Sequence, residues 1–266
     1  MRNLLRVLPL LLALSVALTA GPFSTYYVTD GEGGANWIIR GDAAQSYAQH
    51  GSQEYAIAVS GGQVRTLGAD PGDHGSLYDT VFNYLGTDYP YFGYGFNDGT
   101  SDGAYNYSVD WYTGIVYRTT RDWSSPAVLF DTGFGAGNAV GITYDPSNNS
   151  LWVSQFSGST IANFSLTGAL LSSFSARVSA ITALALDPAD HTLWFGSQNT
   201  MGTFYQYSVS GIAGQTQAYA NMTASNTLGG EFDSVPEPAS AFLFSGALAA
   251  LLLCHIGRRA GRACER

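Results

Sequence analysis

Two segments of this sequence repeat each other at a constant spacing of 42 residues. They share an Asp-Pro turn and a following Leu-Trp pair, which are Asp145-Pro146 with Leu151-Trp152 in the first copy and Asp187-Pro188 with Leu193-Trp194 in the second. The similarity continues downstream to the Thr-Gly turn at residues 167–168 and its Ser-Gly counterpart at residues 210–211 after a slip of one residue. A period near forty residues predicts one supersecondary unit used several times.

Each repeat contains four short predicted strands. In the first copy they cover residues 139–144, 151–155, 160–165 and 170–174, with turn residues between them. A four-stranded unit of this size cannot bury both of its faces alone, and radial stacking of such units solves that problem. The sequence therefore predicts an all-β, β-propeller-like domain of about five blades over residues 21–234, with the Leu-Trp pairs in the core between blades.

The earlier part of the domain carries weaker copies. Residues 105–118 keep the rhythm of strand, Thr-Gly turn and strand, and residues 26–28, 37–40, 55–60 and 63–67 give four more short strands. These early units lack the Asp-Pro turn, so an irregular propeller of five or six blades and a β-sandwich with a repeated half both remain open. The dipeptides typical of WD and NHL repeats are absent, and the resemblance is to the propeller class alone.

The C-terminal segment, residues 235–266, has three parts in a fixed order. Val235, Pro236, Glu237 and Pro238 precede an uncharged apolar run over residues 239–256, and Arg258, Arg259 and Arg262 follow it. Eighteen helical residues span about 27 Å, which is close to the thickness of the hydrocarbon core, and the arginines favour a cytoplasmic end. This segment resembles the PEP-CTERM sorting signal of Gram-negative bacteria. The resemblance implies processing by an exosortase and a place at the cell surface or in the extracellular biofilm matrix, whereas a retained membrane anchor is the alternative.

The N-terminal residues 1–20 have the organisation of a secretory signal peptide. Arg2 and Arg6 precede an apolar segment over residues 7–18, and small residues follow at Ala17 and Ala20. Cleavage after either alanine remains open, and an uncleaved anchor is the alternative. We therefore expect export by the Sec machinery.

Charge and cysteine content restrict the functions open to residues 21–234. This range holds eighteen of the twenty acidic residues but only five of the eleven basic ones, and the chain has no lysine. Phosphate binding requires a basic surface, so nucleic acid is excluded as an expected partner. Both cysteines, Cys254 and Cys264, lie outside the range, which excludes disulfides and thiolate chemistry there.

The best candidate for a metal site is the segment from Asn97 to Gly103. Asn97, Asp98 and Asp102 alternate with glycine and small polar residues, and such a loop can surround Ca²⁺ with oxygen ligands. The segment lacks the closing glutamate of an EF-hand loop and no flanking helices are predicted, so an ordinary hairpin turn is the competing interpretation.

A tyrosine-rich stretch comes directly before that segment. Tyr89, Tyr91 and Tyr94 lie among glycines, and tyrosines on such loops commonly stack on sugar rings. In an all-β fold the same residues commonly fill space between sheets, which is the competing interpretation.

Three functions remain compatible with the sequence, and no catalytic residues are predicted. His50, His74 and His191 are accompanied by no nucleophile elbow, and His191 is expected in an exposed turn. The first function is a non-catalytic binding module for exopolysaccharide or protein. The second is a propeller hydrolase or lactonase with calcium or paired carboxylates in the channel, and the third is a purely structural surface protein. A ring of inward carboxylates would favour the enzyme, and an aromatic outer face would favour the binding module.

Overall fold

The structure is a computed structural model and describes residues 21–223 and 225–233. The described residues form twenty β-strands and two short 3₁₀ helices, at Gln198–Thr200 and Ala220–Met222. The strands are β1 (Tyr26–Asp30), β2 (Ala35–Arg40), β3 (Ala43–Ala48), β4 (Glu54–Ser60), β5 (Gln63–Gly68), β6 (His74–Asp79), β7 (Tyr84–Pro90), β8 (Phe96–Ser101), β9 (Asn106–Asp110), β10 (Ile115–Thr119), β11 (Ala127–Asp131), β12 (Ala139–Asp145), β13 (Ser150–Gln155), β14 (Thr160–Ser165), β15 (Leu170–Ser175), β16 (Ile181–Asp187), β17 (Thr192–Ser197), β18 (Thr203–Ser208), β19 (Ala213–Ala218) and β20 (Gly229–Phe232).

These strands form five antiparallel four-stranded sheets, which are the blades of a propeller. Blade 1 is β20-β1-β2-β3, blade 2 is β4 to β7, blade 3 is β8 to β11, blade 4 is β12 to β15 and blade 5 is β16 to β19. The inner strands β20, β4, β8, β12 and β16 contact one another in that order and close a ring. The predicted all-β propeller of about five blades is confirmed, and the sandwich alternative is wrong.

Blade 1 closes the ring with strands from both ends of the described region. β20 pairs with β1 in an antiparallel register that joins Tyr26 to Phe232 and Thr29 to Gly229. The four early predicted strands therefore belong to two blades rather than one, since residues 26–28 and 37–40 lie in blade 1 and residues 55–60 and 63–67 in blade 2. The sequence pattern could not reveal this because the inner strand of blade 1 lies some 200 residues away.

The repeated aspartates cap the turns after the inner strands. The Oδ1 atom of Asp145 accepts the N–H of Ser147 at 2.9 Å, and that of Asp187 accepts the N–H of Ala189 at the same distance. The Leu-Trp pairs that follow are fully buried, as predicted. The Nε1 atom of Trp152 donates to Asp145. In blade 5 the second oxygen of Asp187 instead accepts the N–H groups of residues 23 and 24, which attaches the start of the described chain to that blade.

β-Bulges interrupt four of the five inner strands, which are β4, β8, β12 and β16. A bulge leaves backbone N–H groups without a partner in the sheet and turns them in a new direction. Here the N–H groups of Ile142 and Leu184 turn to the propeller axis, where both donate to Asp98 Oδ2 at 3.0 and 2.9 Å. Asp98 Oδ1 accepts from Gly99 and Gly230, each at 2.8 Å. A single carboxyl group therefore joins the inner strands of four blades.

Threonine hydroxyls add links between neighbouring inner strands. The hydroxyl of Thr100 accepts the N–H of Tyr144 at 3.0 Å, and the hydroxyl of Thr143 accepts the N–H of Leu186 at 3.1 Å. All four residues lie on the inner strands of blades 3, 4 and 5. Each of these inner strands belongs to a different sheet, so no sheet hydrogen bonds join them to one another. Side-chain oxygens therefore link the inner strands of blades 3, 4 and 5. Between blades 5 and 1 the N–H of Ala183 donates to the carbonyl of Leu228 at 2.7 Å.

The predicted terminal segments lie outside the described residues. These are the signal peptide over residues 1–20 and the sorting motif and arginine cluster within residues 235–266. Across residues 21–223 and 225–233, no helix has the length and apolarity that a membrane crossing needs.

Candidate functional site

The end of the channel where the inner strands begin, called the upper mouth here, combines aromatic and acidic side chains. The turns between the second and third strands of all five blades surround it and line two adjoining cavities of about 170 and 320 Å³. The side chains that these turns contribute are Glu32, Asp70, Trp111, Tyr112, Phe156 and Gln198. The floor beneath them is apolar and includes Tyr55, Val140 and Leu228.

Two consecutive aromatic residues of the blade 3 turn, Trp111 and Tyr112, line the upper mouth. The backbone of Trp111 is fixed on both sides, since its N–H donates to Gly95 at 2.9 Å and its carbonyl accepts from Gly137 at 2.7 Å. The indole ring meets Phe156 edge-on, with ring centroids 5.2 Å apart. Tyr112 is 51% exposed, and its hydroxyl donates to Asp70. This hydrogen bond orients the ring and raises the pKa of Tyr112 to about 12.

The polar groups of the upper mouth are hydrogen-bond acceptors and amides. Glu32 and Asp70 are exposed, and Asn97 and Gln198 reach the same cavities from β8 and from the turn after β17. Among the described residues that line the mouth there is no lysine, arginine or histidine. The mouth can therefore accept hydrogen bonds from an uncharged polar ligand at its rim while a ring packs against its aromatic wall.

The end of the channel where the inner strands finish, called the lower mouth here, has a different character. Its cavity of about 310 Å³ is lined by the turns after the inner strands of blades 2 to 5 and by residues 231 and 232 of blade 1. Glu231 is buried, and its Oε1 atom accepts the N–H of Phe232 at 3.0 Å. Burial raises the pKa of Glu231 to about 8, although hydrogen bonds from Thr100 and Phe232 oppose the shift.

His191 lies at the rim of the lower mouth, in the predicted turn. Its side chain is 43% exposed, and its Nε2 atom lies 3.1 Å from Oδ1 of Asp145, which is almost fully buried. The histidine thus bridges the turns of blades 4 and 5. This contact between blades accounts for the position of the side chain.

The residues predicted to bind calcium occupy different environments. Asp98 lies inside β8, where burial raises its pKa well above the usual range and its oxygens accept four backbone N–H groups. Asp102 lies in the following turn, and accepts the N–H groups of Ala104 and Tyr105 on Oδ1 and the hydroxyl of Tyr107 on Oδ2. Asn97 instead lines the upper mouth.

Only the last part of the segment is a hairpin turn, since residues 97–101 belong to β8. Across residues 21–223 and 225–233, no group of three or more His, Cys, Asp or Glu side chains is arranged to hold a metal ion. The calcium site stays a prediction that the geometry of these three residues does not favour.

The three predicted stacking tyrosines are also separated. Tyr89 is buried on β7, and Tyr94 stacks on Phe96 at 5.2 Å, so both pack between blades 2 and 3. Tyr91 is half-buried, and the charge of Asp70 contributes, after burial, to raising its pKa. Tyr91 is therefore the one of the three that lies near the upper mouth.

The main residues of both mouths were missed by the sequence analysis. Trp111 and Tyr112 could have been found, because two large aromatic side chains in a short turn between strands have no packing role that the turn requires. Glu231 carried no comparable signal, because its burial depends on the pairing of β20 with a strand at the other end of the domain.

Comparisons with known proteins support the fold. No protein-family model matches the sequence, and no curated protein matches it. A chain from the crystal structure of a nidogen/laminin complex is similar with a TM-score of 0.53 at 12% identity, over 78% of this chain and 97% of that chain. Glutaminyl cyclase from Myxococcus xanthus gives a TM-score of 0.49 at 12% identity, over 70% of this chain and 77% of its own.

A third similar structure is an inactive virginiamycin B lyase from Staphylococcus aureus with quinupristin. Its TM-score is 0.45 at 18% identity, over 72% of this chain and 65% of the lyase. Of the three, the nidogen/laminin chain alone has a TM-score above 0.5, and at 12% identity that likeness concerns the fold alone.

Glu231 makes the stability of the domain depend on pH. Its pKa rises from an ordinary value of 4.5 to about 8 on folding, so the folded state binds more protons than the unfolded state between these values. Stability should therefore fall as pH rises through this window. The shift from 4.5 to about 8 corresponds to a loss of at most about 5 kcal/mol in the free energy of unfolding across this window. Glu231→Gln lacks the titrating group. We therefore expect its melting temperature, measured relative to that of the wild type, to increase when the pH is raised from 5 to 9.

The matched control is Glu32→Gln, which makes the same change at an exposed position of the upper mouth. Thermal unfolding followed by circular dichroism across this pH range measures the difference. A constant offset between Glu231→Gln and wild type at every pH would show that Glu231 ionises normally.

Proposed function

We propose that this chain is an exported surface or extracellular-matrix protein, processed by an exosortase, whose propeller binds polysaccharide without catalysing a reaction. The observation that carries the binding part is the upper mouth, where a fixed tryptophan and a half-exposed tyrosine lie beside acidic and amide side chains. We place the ligand there.

The chemistry of the upper mouth fits a sugar ring. The C–H face of a sugar packs against aromatic rings, and Trp111 and Tyr112 are held in place before any ligand arrives. Sugar hydroxyls can donate to the carboxylates of Glu32 and Asp70 and can exchange hydrogen bonds with the amide of Asn97. A wall that needs no reordering also limits the entropic cost of binding.

The charge of the mouth restricts the class of polysaccharide. Two exposed carboxylates stand at the rim, and no basic side chain is present among the described lining residues to offset them. A polyanionic polymer would be repelled by this field. We therefore propose a neutral polysaccharide as the ligand.

A second candidate is a propeller hydrolase or lactonase with calcium or paired carboxylates in the channel. Glu231 favours it, because a buried carboxyl with a raised pKa suits general acid chemistry. Glycan hydrolysis commonly needs a second carboxylate. The oxygens of Asp98 are occupied by backbone N–H groups. Asp102 lines the same cavity as Glu231, but its oxygens accept two backbone N–H groups and the hydroxyl of Tyr107. For this reason we prefer the binding module.

The sugar-binding proposal predicts a specific effect of Tyr112. Replacing Tyr112 with alanine removes an aromatic face worth about 1 kcal/mol or more, so affinity for neutral oligosaccharides should fall about fivefold to tenfold. Tyr105→Ala is the matched control, because Tyr105 is an exposed tyrosine next to the turn after β8, at the other end of the channel. Isothermal titration calorimetry of the full chain in a polyoxyethylene detergent, against a panel of neutral oligosaccharides, measures both.

The proposal would be overturned if Tyr112→Ala and Trp111→Ala bound the same sugars as strongly as wild type. Release of reducing ends or lactone opening that is lost in Glu231→Gln would instead support the hydrolase.

The export proposal rests on the terminal motifs and predicts a shortened chain. In a Gram-negative host with an exosortase, intact-mass measurement should show loss of about the first 17 to 20 residues and cleavage close to Pro236. Pro236→Ala should keep the arginine-rich tail, whereas Pro71→Ala, in an exposed loop, should be processed normally. Recovery of the wild-type chain with both ends intact would contradict processing.

A further inference from the structure

The lower mouth contains a buried carboxyl group that the sugar-binding proposal does not use. Glu231 is 7% exposed and lines the cavity of about 310 Å³ at that end of the channel. Its Oε1 atom accepts the N–H of Phe232, and the Thr100 hydroxyl is close enough to the carboxyl group to lower its pKa. Its Oε2 atom makes no hydrogen bond of ordinary geometry with any described residue. A buried carboxyl oxygen without a hydrogen bond raises the free energy of the folded state. A ligand that donates a hydrogen bond to this oxygen would remove that penalty.

The walls of the cavity suit an apolar group. They are formed mainly by side chains without hydrogen-bonding atoms and by one phenol ring, namely Val59, Tyr144, Pro146, Leu186, Pro188 and Phe232. The cavity therefore combines an apolar wall with a single buried acidic group, which is the arrangement expected for a ligand with a charged head and an apolar stem.

The electrostatic surroundings favour a positive charge. Asp102 and Glu231 both line the cavity, and Asp145 lies against its rim through the contact with His191. His191 is the one residue with a basic side chain among the described lining residues. Arg121 lies nearby but donates to both oxygens of Ser60 at 3.2 and 3.1 Å, so it does not serve as the partner of Glu231.

From this geometry we propose that the lower mouth is a binding site for an organic monocation with an apolar stem, an alkylguanidinium or alkylammonium group, with Glu231 as its counter-ion. The same chemistry is offered by a free amine or guanidine and by an arginine or lysine side chain of a protein. Burial raises the pKa of Glu231 to about 8, so its carboxyl group is largely protonated at neutral pH when no cation is bound. A bound cation would lower this pKa and supply the missing partner, so the affinity for the cation should rise as the pH is raised towards about 8.

The site is independent of the sugar-binding proposal. The cavities of the two mouths share no lining residue, and the buried Asp98 cluster lies on the axis. Failure of sugar binding at the upper mouth would leave this inference unchanged.

The test uses n-butylguanidinium as the probe and the full chain in a polyoxyethylene detergent. Calorimetry should show saturable binding to wild type and to Glu32→Gln, which makes the same change at the upper mouth. Binding to Glu231→Gln should be weaker by about tenfold or more, because the charge-assisted hydrogen bond is lost. Neutral n-butanol should not bind.

Two further arms complete the experiment. Amide chemical shifts of Thr100 and Phe232 should move when the probe is added to wild type, which tests the location without any substitution. A short peptide with an internal arginine that binds more tightly than the probe would indicate a protein side chain as the source, and weaker binding would indicate a small free cation. Equal affinity of Glu231→Gln, equal binding of n-butanol, or shifts confined to the upper mouth would overturn the proposal.

Discussion

The carboxyl group of Asp98 is the interaction on which the centre of this propeller depends. The inner strands of neighbouring blades belong to separate sheets, so no sheet hydrogen bonds hold them to one another. Their bulges turn backbone N–H groups towards the axis, where an unpaired donor would be costly. Asp98 accepts from Gly99 in its own blade and from Ile142, Leu184 and Gly230 in three others. One side chain thus satisfies donors from four blades.

This axial cluster also determines where ligands can bind. Asp98 is completely buried, and the cavities at the two ends of the channel have no lining residue in common. Each mouth therefore acquires its own chemistry from one class of turn. The upper mouth takes exposed aromatic and acidic side chains from the turns between second and third strands. The lower mouth takes the apolar ends of the inner strands and the turns that follow them in blades 2 to 5. It also takes the buried Glu231 from β20, which is joined to β1 by pairing and not by a turn.

Much of the fold could be predicted from sequence where the repeat is regular. Predicted strand bounds in blade 4 agree with the structure within about one residue, because Asp145 with Pro146 fixes one turn and the Thr-Gly pair at residues 167–168 fixes another. Blade 3 was harder, although Asp102 caps its turn as Asp145 and Asp187 do. Asp102 lies 43 residues before Asp145, whereas the two clear repeats are 42 residues apart. This difference of one residue concealed that Asp102 and Asp145 occupy equivalent turns.

The functional residues were less predictable because their roles depend on long-range packing. Asp98 has the sequence neighbours of a turn residue, and only the position of β8 at the axis shows that its oxygens serve other blades. Glu231 is buried at the channel because β20, at the end of the domain, pairs with β1, at its start. Local sequence patterns predict strands and turns, but they contain no information on which side chain meets which blade at the axis.

Hydrogen exchange of the axial amides tests the central role of Asp98 most directly. In Asp98→Asn, the amide group that replaces one carboxylate oxygen cannot accept, so two of the four N–H groups lose their acceptor. We predict exchange at least about tenfold faster at one of two pairs of amides, together with lower global stability. The affected pair is Ile142 and Leu184, which share Oδ2, or Gly99 and Gly230, which share Oδ1, according to which oxygen is replaced. Asp102→Asn should instead affect the local turn amides of Ala104 and Tyr105. Unchanged exchange at both pairs of axial amides in Asp98→Asn would contradict the account.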